Sequence, residues 1–410
     1  MTEERADLVV VGAGTIGGWA SWFAARDRVG RVIVLDQGLV GMGASSRAAG
    51  VVRAQGGTPP TVALGRWSID FYNRQRDLIG TDSGFRELGY LLLAITEDDE
   101  RAGRERVAMQ RREGLDVRWV SAEEACALLP TLSRTGHRGG SYLETDGCID
   151  PPRNVRAYSL AMQAAGVELR ERTAFTGLLA EPGDGRDRVV GVETSGGRIM
   201  TERVILTGGP TLRGVGAAAG VRIPTGGARH TVCVLEPHEA FDVERQPMVF
   251  DVGGGLYWRL EEGGLLFGWS NPNEPAGTAR EIDWPYYERM RARLDELVPA
   301  VRGLGVRKIW TATIDFTSDH LPILGPGLRD DGTPIHGLTV ASAGGHGMMW
   351  GPAVARIAAD LALRGATDVT DVSDLGLDRF DVNGRSRLAP DPIALPFPPS
   401  AEQEEAAPAR

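Results

Sequence analysis

Two short apolar runs, Leu8-Val9-Val10-Val11 and Val32-Ile33-Val34-Leu35, flank a mixed stretch that ends at Arg26. Unbroken runs of this length, rich in β-branched residues, predict strands buried on both faces. With residues 18–26 as a helix, the chain opens as strand, turn, helix, strand. Further on, Leu64, Trp67, Phe71 and Leu78 recur at helical steps with Arg66, Asp70, Arg74 and Asp77 between them. That spacing predicts an amphipathic helix from Thr61 whose aromatic stripe packs in the core. Residues 89–95 read as a buried strand and 97–114 as a charged helix with a solvated face. Ser121-Ala122-Glu123-Glu124 is a capping box that opens a helix ending before Pro130. Near 146–152 the chain is expected to return to its first domain. A helix (153–165), a strand (167–172) and a hairpin (189–199) turning at Ser195-Gly196-Gly197 follow. From 213 to 313 the pattern is mostly strand (231–235, 256–260, 265–269), interrupted by a helix at 284–297. A strand at 338–341 then precedes a helix with Val354, Ile357, Ala358 and Leu361 on one face. Residues 389–410, rich in Pro, Ala and Glu, predict a disordered tail.

The turn after the first run is Gly12-Ala13-Gly14-Thr15-Ile16-Gly17, and the second run ends on Asp36-Gln37. Each glycine has a task if a dinucleotide lies here. Gly12 permits the tight turn, Gly14 lets backbone approach a pyrophosphate, and Gly17 lets helix pack on strand. The helix N-terminus offers N–H groups and partial positive charge to phosphates. Asp36 stands near the expected separation of about 20 residues, where a carboxylate accepts from ribose hydroxyls.

Composition narrows the class. At 410 residues two domains are expected, and 42% hydrophobic with 24% charged residues is ordinary for a globular protein. A net charge of −10 argues against nucleic acid or an anionic membrane as partner. Lys308 is the single lysine, so lysine chemistry is confined to one position. Cys126, Cys148 and Cys233 are odd in number and far apart, which is neither a disulfide framework nor a metal cluster; no metal site is expected. The first apolar run follows the N-terminus too closely for a signal peptide, and no run approaches the roughly 18 residues of a membrane span. A cytoplasmic protein is expected.

Which dinucleotide binds is indicated by the continuation Gly41-Met42-Gly43-Ala44-Ser45-Ser46-Arg47-Ala48-Ala49-Gly50-Val51-Val52-Arg53. A nicotinamide domain normally continues with an ordinary crossover helix. Small residues instead let backbone and hydroxyls lie against a large flat ligand. This stretch resembles the second flavin-contacting segment of the amine-oxidising flavoproteins, the family of D-amino-acid, glycine and sarcosine oxidases. Thr207-Gly208-Gly209 after the strand at 204–206 resembles the third flavin-binding element. Residues 310–325 and 340–352, the latter holding Gly344-Gly345-His346-Gly347-Met348-Met349, resemble the same family in order and spacing, most closely its sarcosine-oxidase-like and proline-dehydrogenase-like members.

The resemblance implies an α/β fold: a two-dinucleotide-binding-type FAD domain with a discontinuous substrate domain built on an antiparallel sheet. Residues 1–84, 146–212 and 314–388 would form the FAD domain, and 85–145 with 213–313 the substrate domain. The implied cofactor contacts are Gly12, Gly14, Thr15, Ile16, Gly17, Asp36, Gln37, Ala44, Ser45, Ser46, Ala49, Gly50, Val51, Thr207, Gly208, Gly209 and Gly344 through Met349. The implied activity is oxidation of the C–N bond of a small or N-substituted amino acid to an imine, with oxygen or another acceptor taking the electrons. Arg53 matches the carboxylate-binding arginine of sarcosine-oxidase-like enzymes, and Arg259 is the second candidate. Of Tyr257 and Trp258, which alternate faces of a strand, one can line the pocket. His346 is a base or the residue that holds its turn. Three family residues are missing: Ala312 stands for the flavin-linking cysteine, Leu266 for the oxygen-activating lysine, and Met349 for a substrate-binding lysine. Arg47 replaces the linking histidine of dimethylglycine-dehydrogenase-like enzymes, so FAD is expected to be noncovalent. Oxidation of a 2-hydroxy acid, a flavin monooxygenase and a non-catalytic flavoprotein are the rival readings.

Overall fold

The structure, a computed structural model, describes residues 4–183 and 186–397. Two large sheets are drawn from alternating stretches of the chain. The first has ten strands, and its centre is parallel: Pro334–Ser342, Val204–Leu206, Leu8–Val11, Val32–Leu35 and Glu168–Arg170 in that order. The unbroken apolar runs follow from this placement, because both faces are covered. Leu8, Val10, Val32, Val34, Ile205 and Ala341 face one cluster; Val9, Val11, Ile33, Leu35, Val204, Leu206 and Val340 face another.

Helices Thr15–Arg26 and Gly351–Arg364 pack together over the first of these faces, with Pro151–Ala164 and Pro59–Ile79 beside them. Trp19 is the hub. It is fully buried, its ring meets Trp22, Phe71 and Tyr158 edge-on, and its indole N–H donates to Asn154 Oδ1 at 3.2 Å. The expected aromatic stripe is therefore core packing, although Leu78 in the last turn of its helix is 38% exposed. Asp150 caps Pro151–Ala164 by accepting from Arg153 N at 3.0 Å, and the two prolines occupy the first turn, where an absent N–H costs nothing.

The second sheet has eight strands in the order Val306–Phe316, Gly226–Leu235, Gly264–Ser270, Leu256–Glu261, Met248–Asp251, Tyr90–Leu93, Gly140–Leu143 and Arg118–Val120. All its pairings are antiparallel except Met248–Asp251 with Tyr90–Leu93. Helix Trp284–Leu297 covers one face, and Trp258 and Trp269 are buried beneath it. A small sheet of Val51–Val52, Gly147–Cys148 and Arg86–Glu87 lies where the chain crosses between the two large ones.

The expected tail from Ala389 needs correction in its first part. Ile393 is 1% exposed, and Phe397 stacks on Phe316 with ring centroids 5.2 Å apart. Apolar Ile393, Leu395 and Phe397 alternate with Ala394 and Pro396, a pattern that average composition hides. Residues 398–410 lie outside the described residues. No helix among the described residues is long and apolar enough to cross a membrane.

Candidate active site

The glycine turn is held by close approach. Gly12 has φ +96°, and a Cβ on Gly17 would lie 1.8 Å from the Gly12 carbonyl oxygen. No side chain but glycine fits at either position. Helix Thr15–Arg26 begins there with no acidic residue in its first turn, leaving its positive end to a ligand. Asp36 Oδ2 accepts from Ala13 N at 2.8 Å and Oδ1 from Gly38 N at 2.7 Å. Each oxygen retains acceptor capacity for a ribose.

A cavity of about 500 Å³ runs from this turn to the second sheet. It is lined by Gly12, Gly14, Thr15, Ile16, Gly17, Asp36, Gln37, Ala44, Ser45, Ala49, Gly50, Val51, Thr207, Gly208, Gly209, Gly345, His346, Gly347, Met348 and Met349. Of the expected cofactor contacts, Ser46 and Gly344 do not line it. Ser46 N is engaged with Gly41 O inside its own turn, and Gly344 is buried with its N–H on Ser342 Oγ. Ser45 Oγ accepts from Thr15 N at 3.0 Å, which fastens the second segment to the helix start. The cavity lining fits FAD on one structural ground in particular: Gly43 and Gly347 both line it and have no atom within 4 Å of an added Cβ. Side chains there would fill space that a ligand needs.

The other end is built by the second sheet. Tyr257, His230, Tyr90, Phe250 and Ala312 line the cavity there together with Arg53, Ile393 and Leu395. Tyr257 faces in, and Trp258, its neighbour, faces the helix-covered core. His230 Nε2 lies 2.6 Å from Tyr257 Oη and its Nδ1 3.0 Å from Ser270 Oγ, with the two rings stacked. A neutral imidazole has one donor and one acceptor, so one hydroxyl receives a proton and the other gives one. Burial pushes the His230 pKa down to about 4. Sequence reasoning missed His230 because it began that strand at Thr231, just past the histidine, whereas the strand starts at Gly226. It also gave no role to Asp315, which lines the cavity, accepts from Ser342 Oγ at 2.5 Å and has its pKa raised by burial.

Arg53 is 3% exposed and donates to two backbone carbonyls, that of Gln55 and that of Ile393 at 3.0 Å. Behind it, Asp146 is fully buried, accepting from Ala54 N at 2.6 Å and Gln55 Nε2 at 3.1 Å. Burial raises the Asp146 pKa to about 7, against the pull of those hydrogen bonds and of Arg53. Arg259 does not reach the cavity. Its Nε donates to Ala49 O at 2.9 Å, and its Nη1 meets Leu260 O and Glu261. It shares the face of Tyr257, but two residues along a strand is about 7 Å, far enough to place it under the 44–50 segment instead. Arg47 lines the cavity while donating to the carbonyls of Met42 and Gly43.

His346 is half-buried, with Nδ1 donating to Gly344 O at 3.0 Å and its ring 4.2 Å from that of Trp350. Burial first, then Arg53 and His320, pushes its pKa down to about 3. A ring with Nδ1 so engaged holds its turn and leaves Nε2 as an acceptor.

A model of the FAD dependent oxidoreductase family matches residues 7–361. The 4-methylaminobutanoate oxidase (formaldehyde-forming) of Paenarthrobacter nicotinovorans is 28% identical over 92% of this chain. This chain spans about half of that oxidase, 46% of its length. The glycine oxidase of Geobacillus kaustophilus is 28% identical over 92% of this chain and 97% of its own; its crystal structure superposes with a TM-score of 0.78, covering 92% and 100%. L-proline dehydrogenase from P. horikoshii, 23% identical, shares the fold with a TM-score of 0.80 over 90% of this chain and 96% of its own. The chain belongs to the FAD dependent oxidoreductase family.

Proposed function

We propose that this protein oxidises the C–N bond of a small or N-substituted amino acid to an imine, using noncovalent FAD, with Arg53 holding the substrate carboxylate. One observation carries the reading. Arg53 is a buried guanidinium at the cavity wall with only carbonyl partners, and no carboxylate lies within ion-pair distance among the described residues. Two of its five donors are used, which leaves a fork for a carboxylate. Asp146, with a pKa near neutrality, supplies at most part of the missing countercharge. The relatives are named for 4-methylaminobutanoate, glycine and L-proline, all amino acids, which supports the same substrate class here.

FAD, when bound, supplies the acceptor for a hydride from the carbon beside nitrogen. Residues 12–17 and Asp36 would hold its pyrophosphate and ribose, and residues 44–51, 207–209 and 345–349 its flavin end. Arg53 fixes the carboxylate and thereby the position of that carbon, which is the main task left to the protein. Tyr257 Oη, oriented by His230, faces the same space and offers the amine a hydrogen-bond partner. His230 and His346 are neutral at pH 7, so neither opposes loss of the amine proton. Water then hydrolyses the imine. Ala312 and Arg47 line the cavity at the two positions of known attachment and neither can form the bond, which supports noncovalent binding. We divide the chain as expected above, with FAD-domain segments 1–84, 146–212 and 314–388. Three free thiols support a reducing, cytoplasmic setting.

The test is anaerobic addition of secondary amino acids, D-amino acids and 2-hydroxy acids while following flavin absorbance. Bleaching by hydroxy acids alone overturns the reading. Arg53→Met should raise KM by a factor equivalent to about 2–5 kcal/mol, and an unchanged KM for the best substrate moves the anchor elsewhere.

A further inference from the structure

The family match ends at residue 361, yet Ile393 and Leu395, more than thirty residues later, wall the cavity. Ile393 packs in one apolar cluster with Tyr90, Phe250 and Tyr257, at the end of the cavity away from the glycine turn. Its carbonyl receives Arg53 Nη2 at 3.0 Å, so this wall stands one hydrogen bond from the proposed carboxylate anchor.

The segment is fastened at both ends. Asp391 N donates to Asp319 O at 2.9 Å, and Asp391 Oδ1 accepts from Ile393 N at 2.9 Å. At the other end the Phe397 ring lies on Phe316, with an interplanar angle of 15°, and also meets His320. Pro396 sits so close to Gly255 that an added Cβ would come within 2.6 Å of its ring. A segment pinned this way presents fixed apolar side chains and does not yield to a larger ligand without breaking those contacts.

We infer that residues 391–397 form the specificity-determining wall of the substrate end: with the carboxylate on Arg53, the apolar side chain or N-substituent packs on Ile393 and Leu395, and these set how long it can be. The inference rests on the Arg53 reading. It places substrate choice in a part of the chain outside the family match, so that members sharing every motif can differ there.

The test titrates the FAD-loaded protein with unreactive straight-chain carboxylates, acetate through hexanoate, and follows the perturbation of flavin absorbance. While the cavity accepts each added methylene, affinity should rise about fourfold per carbon, then fall once the chain meets the wall. In Ile393→Ala and Leu395→Ala that fall should move to a longer acid, and in Ile393→Phe to a shorter one. Flavin content and melting curves show that each variant is folded, and Ile393→Val supplies a milder version if Ile393→Ala is not. A chain-length profile unchanged in Val and Phe variants that still bind carboxylates overturns the wall. If no carboxylate perturbs the wild type, or if Arg53→Met binds them equally well, the anchor reading is what fails.

Discussion

Buried titratable residues around the cavity give opposite and separable pH signatures. The His230 pKa falls to about 4 and that of His346 to about 3, chiefly by burial, both below the ordinary imidazole value. The unfolded chain therefore binds protons that the folded chain refuses, so their stabilisation is complete above about pH 6.5 and is lost as pH falls toward those values. Asp146 works the other way. Its pKa is raised to about 7, so its contribution is complete below the ordinary carboxylate range and is lost as pH rises through neutrality. The melting-temperature difference between wild type and His230→Gln should accordingly grow from pH 4 to 6.5 and then level off. The difference for Asp146→Asn should shrink over pH 4 to 7. Thermal scans of the three proteins across this range check both signs, and parallel curves would mean that neither group is desolvated as described.

Between elements, one buried ion pair has a large share in seating the C-terminal segment. Arg379 and Asp319 are both fully buried, with Nε–Oδ2 at 2.7 Å and Nη2–Oδ1 at 3.1 Å, and Arg379 also donates to Leu375 O and Leu321 O. Burial alone would raise the Asp319 pKa, but Arg379, together with hydrogen bonds from Ser386 and the Leu321 backbone, holds the carboxylate below its usual range. Arg379→Ala leaves that charge buried and unpaired, an expected cost of about 3–5 kcal/mol. Denaturant titration should show a lower midpoint with an unchanged slope. None of this was visible in the chain, because a pair 60 residues apart leaves no local trace. What was legible had local causes. The four-residue apolar runs mark strands covered on both faces, and helix Trp284–Leu297 follows its periodicity from end to end. The glycine fingerprint is likewise a single contiguous turn. Strand Gly226–Leu235 begins earlier than the expected 231 because paired glycines obscure it, and that cost the reading His230. Strand Phe175–Pro182 lies at an edge, only half-buried, with no alternation to announce it. Arg259 stands among aromatics on a strand of the second sheet, a position that does not reveal how far along the strand the cavity extends.

At the scale of the molecule, the cavity joins the parallel centre of one sheet, which supplies the dinucleotide turn, to a mostly antiparallel sheet that supplies Tyr257, His230 and Ala312. Ala312 and Arg47 stand at the two positions of known attachment and neither can bond to the flavin, so on the noncovalent reading acid precipitation should release all the yellow colour to the supernatant, and colour retained in the pellet would contradict it. The same assembly bears on where the electrons go. A cation beside the flavin speeds its reaction with oxygen by stabilising developing superoxide, an electrostatic effect on transition-state charge. Leu266, at the position of the family's lysine, is 1% exposed, packs in the cluster of Tyr257 and Ile393, and does not line the cavity. Lys308 has a 58% exposed side chain, 4.0 Å from Glu262. Among the described residues, the cations that line the cavity are Arg47, Arg53 and Arg280. Arg47 already serves the carbonyls of its own turn, and Arg53 is assigned to the substrate. Our prediction is that oxygen is a poor acceptor and that an artificial dye or a protein partner serves better. Stopped-flow mixing of substrate-reduced protein with aerated buffer measures this directly. Reoxidation slower than dye-linked turnover is expected. Reoxidation faster than steady-state turnover in air would instead make the protein a true oxidase, and Arg280→Met, which removes the remaining cavity arginine among the described residues, would then show whether that cation replaces the lysine.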